Sequence, residues 1–333
     1  MVLYYSLTGG NMENFKVLTY EEEKKLTVDE RKIYYIRLKE YLSSLKYSLP
    51  KEKYLTICEI LNKKVVRTIV DKIKGYDLFI ENQSIIPTRP VIYASSHQDF
   101  NDHFNVVLSI PTHMIILNSS NVPSIIKFVM GIHGIEYVDR NDSQSRFESK
   151  MHLMEYLSKG KSIVVFPEAT YNCSPNKLIL PLHSGVIDIA KKMQAPIVPL
   201  VQEYDFDNSR LDGKNRVKSC TVRFGMPIYV SYDDNIQAKK EELRDAMATI
   251  RYNLIEQKGI FSREEISNEE YISYLLSRLD TMDLMKVNYE IEKNTIYGAS
   301  DEFYQYHPIN AVPYNEKGEL LTTGPVRKLT IAK

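Results

Sequence analysis

The chain has 333 residues, with 43 basic and 43 acidic side chains and a formal net charge of zero. That length is ample for a large α/β domain with an appended segment, and the neutral balance excludes a global attraction to nucleic acid, so any phosphate must be handled locally. Three scattered cysteines, Cys58, Cys173 and Cys220, lack metal-ligand spacing and argue for a reducing compartment over a disulfide scaffold.

The first residues, Met1 to Gly10, lack the basic start and apolar core of a signal peptide, and Met12 is read as an alternative start. No uninterrupted apolar run approaches the ~18 residues a membrane-spanning helix needs. A cytosolic location follows as the expectation, compatible with lying on the cytoplasmic face of a membrane.

Two capping-box spacings, Thr19 with Glu22 and Thr27 with Glu30, compete as helix starts ahead of a periodic run from Ile33 to Leu49. Pro50 is expected to end that helix, and Leu55, Cys58, Leu61, Val65, Ile69 and Ile73 continue a second apolar stripe. The pair reads as a helical hairpin covering a sheet, or as a basic amphipathic face on anionic lipid, since Lys63, Lys64, Arg67, Lys72 and Lys74 crowd the second helix.

Strands are expected at 76–81, at 90–96, at 112–118, at 135–138, at 161–166 and at 197–201. Helices are expected at 104–110, around Met151, Met154 and Leu157, and at 186–193. A short apolar helix at 125–130 would, if exposed, give lipid a landing surface. Asp205 to Lys218 reads as a hairpin or exposed insertion, and 222–228, with Gly225 and Pro227, as an edge or terminating strand. The alternation argues for an α/β fold: a mostly parallel mixed sheet flanked by helices. The domains expected are an N-terminal helical segment at 1–74, an α/β domain at 75–258, and a C-terminal extension at 259–333 packed on it.

Chemistry concentrates where the strand ending at Ser95 and Ser96 gives way to His97, with Asp102 five residues on. In open α/β sheets, ligands collect at such strand ends. On an unbroken helix five residues turn through about 500°, leaving the two side chains roughly 140° apart. They meet only if His97 sits on the corner and Asp102 in the first turn. Asp102 would then orient His97, which takes a proton from a hydroxyl; in the plainer alternative Asp99 or Asn101 caps the helix and His97 is a satisfied surface residue. Asp139 and Arg140 follow one strand, and Glu168 follows the most apolar one, entering the polar run Ala169, Thr170 and Tyr171. His103, directly after Asp102, is an alternative base; His113, His133, His152, His183 and His307 show no carboxylate or cysteine at metal spacing, so no metal site is expected.

These residues carry a family resemblance. His97 to Asp102 resembles the histidine, any four, aspartate motif of the phospholipid/glycerol acyltransferase family, 1-acylglycerol-3-phosphate O-acyltransferase-like. Gly134 to Arg140 is similar to its second block, Phe166 to Thr170 to its third, and Ile197 to Pro199 to its fourth. In that family Gly stands at the position of Ala169, Arg at that of Tyr171, and Asn at that of Ser96, which makes this a divergent member. A methyl at 169 fits only if the loop makes no demand for positive φ.

The resemblance implies a glycerol-3-phosphate acyltransferase-like fold and an O-acyltransferase of EC 2.3.1 type. His97 and Asp102 would be catalytic, and Arg140, Glu168, Ala169, Thr170 and Tyr171 substrate-binding. A fatty acyl group would pass from a coenzyme A or acyl carrier protein thioester to a glycerophosphate- or lysophospholipid-like hydroxyl, without a permanently bound cofactor. Backbone amides after His97 are the expected oxyanion donors. The partners implied are the donor, the acceptor and a membrane surface reached through the N-terminal helices and the 104–130 region. The competing readings are a non-catalytic lipid-binding protein, an acyl-thioester hydrolase, and transfer to a non-phosphorylated acceptor.

Overall fold

A computed structural model describes residues 15–47, 49–99, 101–120, 127, 131, 133–169, 172, 178–206 and 217–257. Expectations for the start of the chain, Phe100, Thr170, Tyr171, most of 121–132, and everything from 258 onward lie outside those residues.

Both candidate helix starts are used. Thr19 opens α1 (Tyr20–Lys24) and Thr27 opens α2 (Val28–Ser44). Each capping box is reciprocal: Glu22 accepts from the Thr19 amide at 2.9 Å, and Glu30 from the Thr27 amide at 2.8 Å. The second helix stops at Ser44. Pro50 instead lies in the first turn of α3 (Leu49–Leu61), where a missing N–H breaks no intrahelical bond.

From α3 the chain runs through a π turn (Asn62–Val66) into α4 (Arg67–Ile73). The extra residue in that turn displaces the apolar stripe by one position. Leu55 and Cys58 are buried as the periodicity requires, but Val65 and Ile69 are exposed, and Val66 and Val70 face inward in their place. Asn62 is thereby buried, its Oδ1 2.9 Å from His133 Nδ1.

Among the described residues seven strands follow: β1 (Asp77–Glu81), β2 (Ile92–Ser95), β3 (Met114–Ser119), β4 (Ile135–Val138), β5 (Ser162–Val165), β6 (Ile197–Phe206) and β7 (Val217–Phe224). The helices between and after them are α5 (Asp102–Ser109), α6 (Ser143–Ser158), α7 (Gly185–Met193) and α8 (Ile236–Gln257). The sheet order is β1-β7-β6-β2-β5-β3-β4, and every pairing is parallel except β6 with β7. The fold is therefore α/β, with a mostly parallel mixed sheet flanked by helices.

The last two strands depart from expectation. β6 runs on to Phe206, because its second half pairs antiparallel with β7. β7 lies inside the sheet between β1 and β6, so it is no edge strand. It ends before Gly225, where a Cβ would come within 2.5 Å of Ile250 and 3.1 Å of Pro199.

Alternation divides the core. Ile92, Ala94, Ile163 and Val165 meet Leu38 and Leu42 of α2, Leu153 and Met154 of α6, Ile187 and Ala190 of α7, and Leu243 and Met247 of α8. Val91, Tyr93, Val164 and Val198 meet Val106 and Ile110 of α5 on the other face. Burial on both faces accounts for the unbroken apolar runs of the central strands. The N-terminal helices share the first core, and α5 turns its apolar residues into the second.

Candidate active site

β2 is a central strand flanked by β5 and β6, and its polar end is anchored before the chain turns. The Ser96 amide donates to the Leu200 carbonyl at 2.9 Å, the Ser96 hydroxyl accepts from the Gln202 amide at 2.9 Å, and Ser95 Oγ accepts from Gln202 Nε2 at 3.0 Å. Both serines thus serve the corner's geometry.

The corner brings His97 and Asp102 together as the resemblance implies, with Nδ1 to Oδ2 at 2.9 Å. Three further groups point at the Asp102 carboxylate. The Gln98 and Asp99 amides donate to Oδ2 at 2.5 and 2.9 Å, and the Tyr204 hydroxyl donates to Oδ1 at 2.5 Å. Donors on both oxygens favour the anion over the neutral acid. His97 then carries its proton on Nδ1 and leaves Nε2 with the lone pair.

Electrostatics favour the neutral imidazole. Burial, and then the Arg140 guanidinium, push His97 down to about 3, against a smaller upward pull from Asp99. Burial and Asp99 raise Asp102 to about 7, against the smaller downward pull of the bonds from Tyr204, Asp99 and Gln98. The His97 side chain keeps 11% of its surface exposed, whereas Asp102 keeps none, so the imidazole is the member of the pair open to the surface. Its ring lies tilted against Phe166, with centroids 4.3 Å apart, and His103 is at 5.7 Å.

Glu168 lies at the same corner, turned toward the backbone. Its Oε1 accepts from the His97 amide at 3.0 Å and its Oε2 from the Leu180 amide at 2.7 Å. Burial raises it to about 7, with those two amides and Arg251 working the other way. The Asn172 amide adds a 2.5 Å bond to the His97 carbonyl, so the segment after β5 is fastened to the base from both sides.

Ala169 has φ of +56°, so the loop does demand the left-handed region where this chain lacks glycine. Arg140, at the end of β4, reaches across to donate to the Ala169 carbonyl. The expectation about oxyanion donors needs correcting. The Gln98 and Asp99 amides are committed to the Asp102 carboxylate, the Asn101 amide to the Asp99 carboxylate and the Asp102 amide to the Asp99 carbonyl, because the tight bend uses them to hold itself together.

Periodicity missed several contributors. Gln202 and Tyr204 are buried polar residues on alternate positions of β6, a signal visible as two polar interruptions in an inward-facing series. Arg251, far along the chain on α8, donates to Gln98 Oε1 at 2.9 Å, Glu203 Oε2 at 2.8 Å and the Leu178 carbonyl at 2.6 Å. No spacing rule links it to His97. Among the described residues, no group of three or more His, Cys, Asp and Glu is arranged to hold a metal ion.

Residues 77–203 match the family model described as Acyltransferase. Over 112 residues the chain is 30% identical to 1-acyl-sn-glycerol-3-phosphate acyltransferase BAT2, chloroplastic, of Brassica napus, covering 33% of this chain and 32% of that protein. It is 24% identical over 130 residues to 1-acyl-sn-glycerol-3-phosphate acyltransferase of Saccharomyces cerevisiae, covering 38% of this chain and 43% of that one. The chain thus spans less than half the length of these curated relatives. Among solved structures it is similar to the crystal structure of the 1-acyl-sn-glycerophosphate acyltransferase PlsC from Thermotoga maritima, with a TM-score of 0.45 and 17% identity over 66% of this chain and 88% of that one.

Proposed function

Residues 77–203 being a divergent acyltransferase-family domain, we propose that the chain moves a fatty acyl group from a coenzyme A or acyl carrier protein thioester to a hydroxyl of a glycerophosphate- or lysophospholipid-like acceptor. The observation that carries this reading is His97 with its Nδ1 2.9 Å from an Asp102 carboxylate that also receives the Gln98 and Asp99 amides and the Tyr204 hydroxyl. His97 Nε2 takes the proton as the acceptor oxygen attacks the thioester carbonyl, and Asp102 stabilises the imidazolium. Collapse of the tetrahedral adduct breaks the carbon–sulfur bond, and the imidazolium returns its proton to the departing thiolate. No acyl-enzyme is needed.

Arg140 is assigned to the acceptor, its guanidinium suited to hold a phosphate bidentately. Ala169, Thr170 and Tyr171 belong to the same acceptor loop, and Glu168 fastens that loop to His97. A peripheral position at the cytoplasmic face of a membrane is supported by exposed Tyr54, Ile57, Ile60, Val65 and Ile69 beside exposed Lys53 and Lys72 on α3, the π turn and α4. Among the described residues no helix is long and apolar enough to cross a membrane.

The test supplies acyl-CoA or acylated carrier protein with lysophosphatidic acid or glycerol-3-phosphate and identifies the product by mass. Wild type forms the ester, and His97→Ala loses about 1,000-fold or more of the rate while melting as a folded protein. Unchanged transfer by the variant sinks the mechanism. Acyl release at full rate without an acceptor would instead identify a hydrolase, and lipid binding without turnover a non-catalytic relative.

A further inference from the structure

Behind Asp102 the hydrogen bonds run in one direction. Tyr76 donates to Asn105 Oδ1 at 2.7 Å, Asn105 Nδ2 donates to the Tyr204 oxygen at 2.9 Å, and Tyr204 donates to Asp102 Oδ1 at 2.5 Å. An amide nitrogen can only donate, so the Tyr204 oxygen receives from Asn105 and sends its own proton to Asp102. Asn105 is wholly buried and Tyr204 nearly so, and Tyr204 and Tyr76 both pack in the second core.

We propose that Tyr204 is a positioning residue of the acyl-transfer site, its hydroxyl holding Asp102 as the carboxylate that keeps His97 in the Nδ1–H tautomer. The inference rests on the acyl-transfer reading for the use made of the base, but the bond geometry stands apart from it. Tyr204 touches no reacting atom. It acts through Asp102.

The groups around the pair come from most of the elements packed on it. Asp99 lies on the same bend and His103 in α5; Arg140 comes from beyond β4, Glu168 from beyond β5, and Tyr204 from β6. Cys220 of β7 and Tyr76 lie behind Tyr204, and Arg251 of α8 reaches the bend through Gln98. Asp99 favours protonation of both partners and Arg140 opposes it on His97. Neither Asp99 nor Arg140 replaces a hydrogen bond to Oδ1.

The catalytic form of the pair is neutral His97 with ionised Asp102, carrying one negative charge. A donor to Asp102 stabilises that form over the singly protonated pair. Tyr204→Phe removes the donor but keeps the ring, which packs edge-on 6.5 Å from Tyr76. The pair then holds its proton to higher pH.

The experiment follows the His97 imidazole by NMR titration in the full chain, alongside the pH profile of kcat/KM. In Tyr204→Phe both the titration and the acid limb should move upward by about one pH unit, as expected for losing a hydrogen bond to a charged group. The rate at neutral pH should fall roughly tenfold with KM for the thioester unchanged. Tyr76→Phe, two bonds farther back, should give a smaller shift of the same sign. If Tyr204→Phe does not fold, 3-fluorotyrosine at 204 keeps the bond with a more acidic hydroxyl and should move the titration downward. An unmoved His97 titration in either folded Tyr204 protein overturns the proposal. Should wild type show no transfer, the acyltransferase reading fails, and the titration still decides this one.

Discussion

Two buried polar clusters in this molecule make opposite use of burial. Between α1 and α7, Lys192 lies 2.6 Å from Glu23 and 3.2 Å from Asp188, and Asp188 also meets Lys150 at 2.5 Å. Burial pushes Lys192 down and Asp188 up, yet the opposite charges outweigh it, so Lys192 ends raised and Asp188 lowered. Lys192 and Asp188 are both held as charges. At the corner after β2, burial and the Arg140 charge together prevail over Asp99 and favour neutral His97. A cluster that pairs opposite charges locks a fold, whereas one that offers a carboxylate only donors leaves a basic nitrogen ready beside it.

Breaking the first cluster should cost stability and leave the chemistry alone. Lys192→Met removes the cation shared by Glu23 and Asp188, and about 3 kcal/mol of unfolding free energy should be lost in urea titrations. The rate per folded molecule should stay at the wild-type value, and a lost rate with retained stability would contradict the contrast.

The second expectation concerns acid. Unfolded His97 takes a proton below about 6.5, while the folded imidazole stays neutral down to about 3. The unfolded state therefore binds more protons in that window, and the His97 contribution weakens as pH falls through it. Between pH 7 and pH 5 that contribution is about 2 kcal/mol, so His97→Ala should be less acid-sensitive than wild type by that amount. Equal urea midpoint shifts in the two proteins would mean that His97 is charged in the fold. Asp188, lowered from its ordinary 3.8, loses its contribution only below that value, so the ion cluster should not contribute to this difference.

The smallest effect is local. Ala169→Gly relieves a left-handed alanine, a strain of about 1–2 kcal/mol that glycine's freer unfolded chain partly offsets. A rise in melting temperature worth up to ~1 kcal/mol is expected, and a fall would show that φ of +56° stores no strain.

Local patterns were legible where one physical period dominated. The capping boxes at Thr19 and Thr27 form as spaced, and the central strands lie within a residue or two of their apolar runs. The stripe through Val65 and Ile69 failed because a single inserted residue in a π turn leaves no mark on composition, yet rotates everything after it. The run 222–228 reads as an edge or terminating strand because it contains Gly225 and Pro227; β7 does end before Gly225, but its place between β1 and β6 is set by long-range pairing.

By itself the sequence determined the alternation of strand and helix, the family blocks, and the placing of His97 at the end of a strand with an aspartate in reach of a bend. These depend on neighbours a few residues apart, where periodicity and sterics act directly. Only the tertiary structure decided that Glu168 grips backbone amides, that four donors converge on Asp102, and that Tyr204 and Arg251 stand behind the corner. Those contacts join residues up to 153 positions apart, and a buried polar group takes whichever partner packing brings to it.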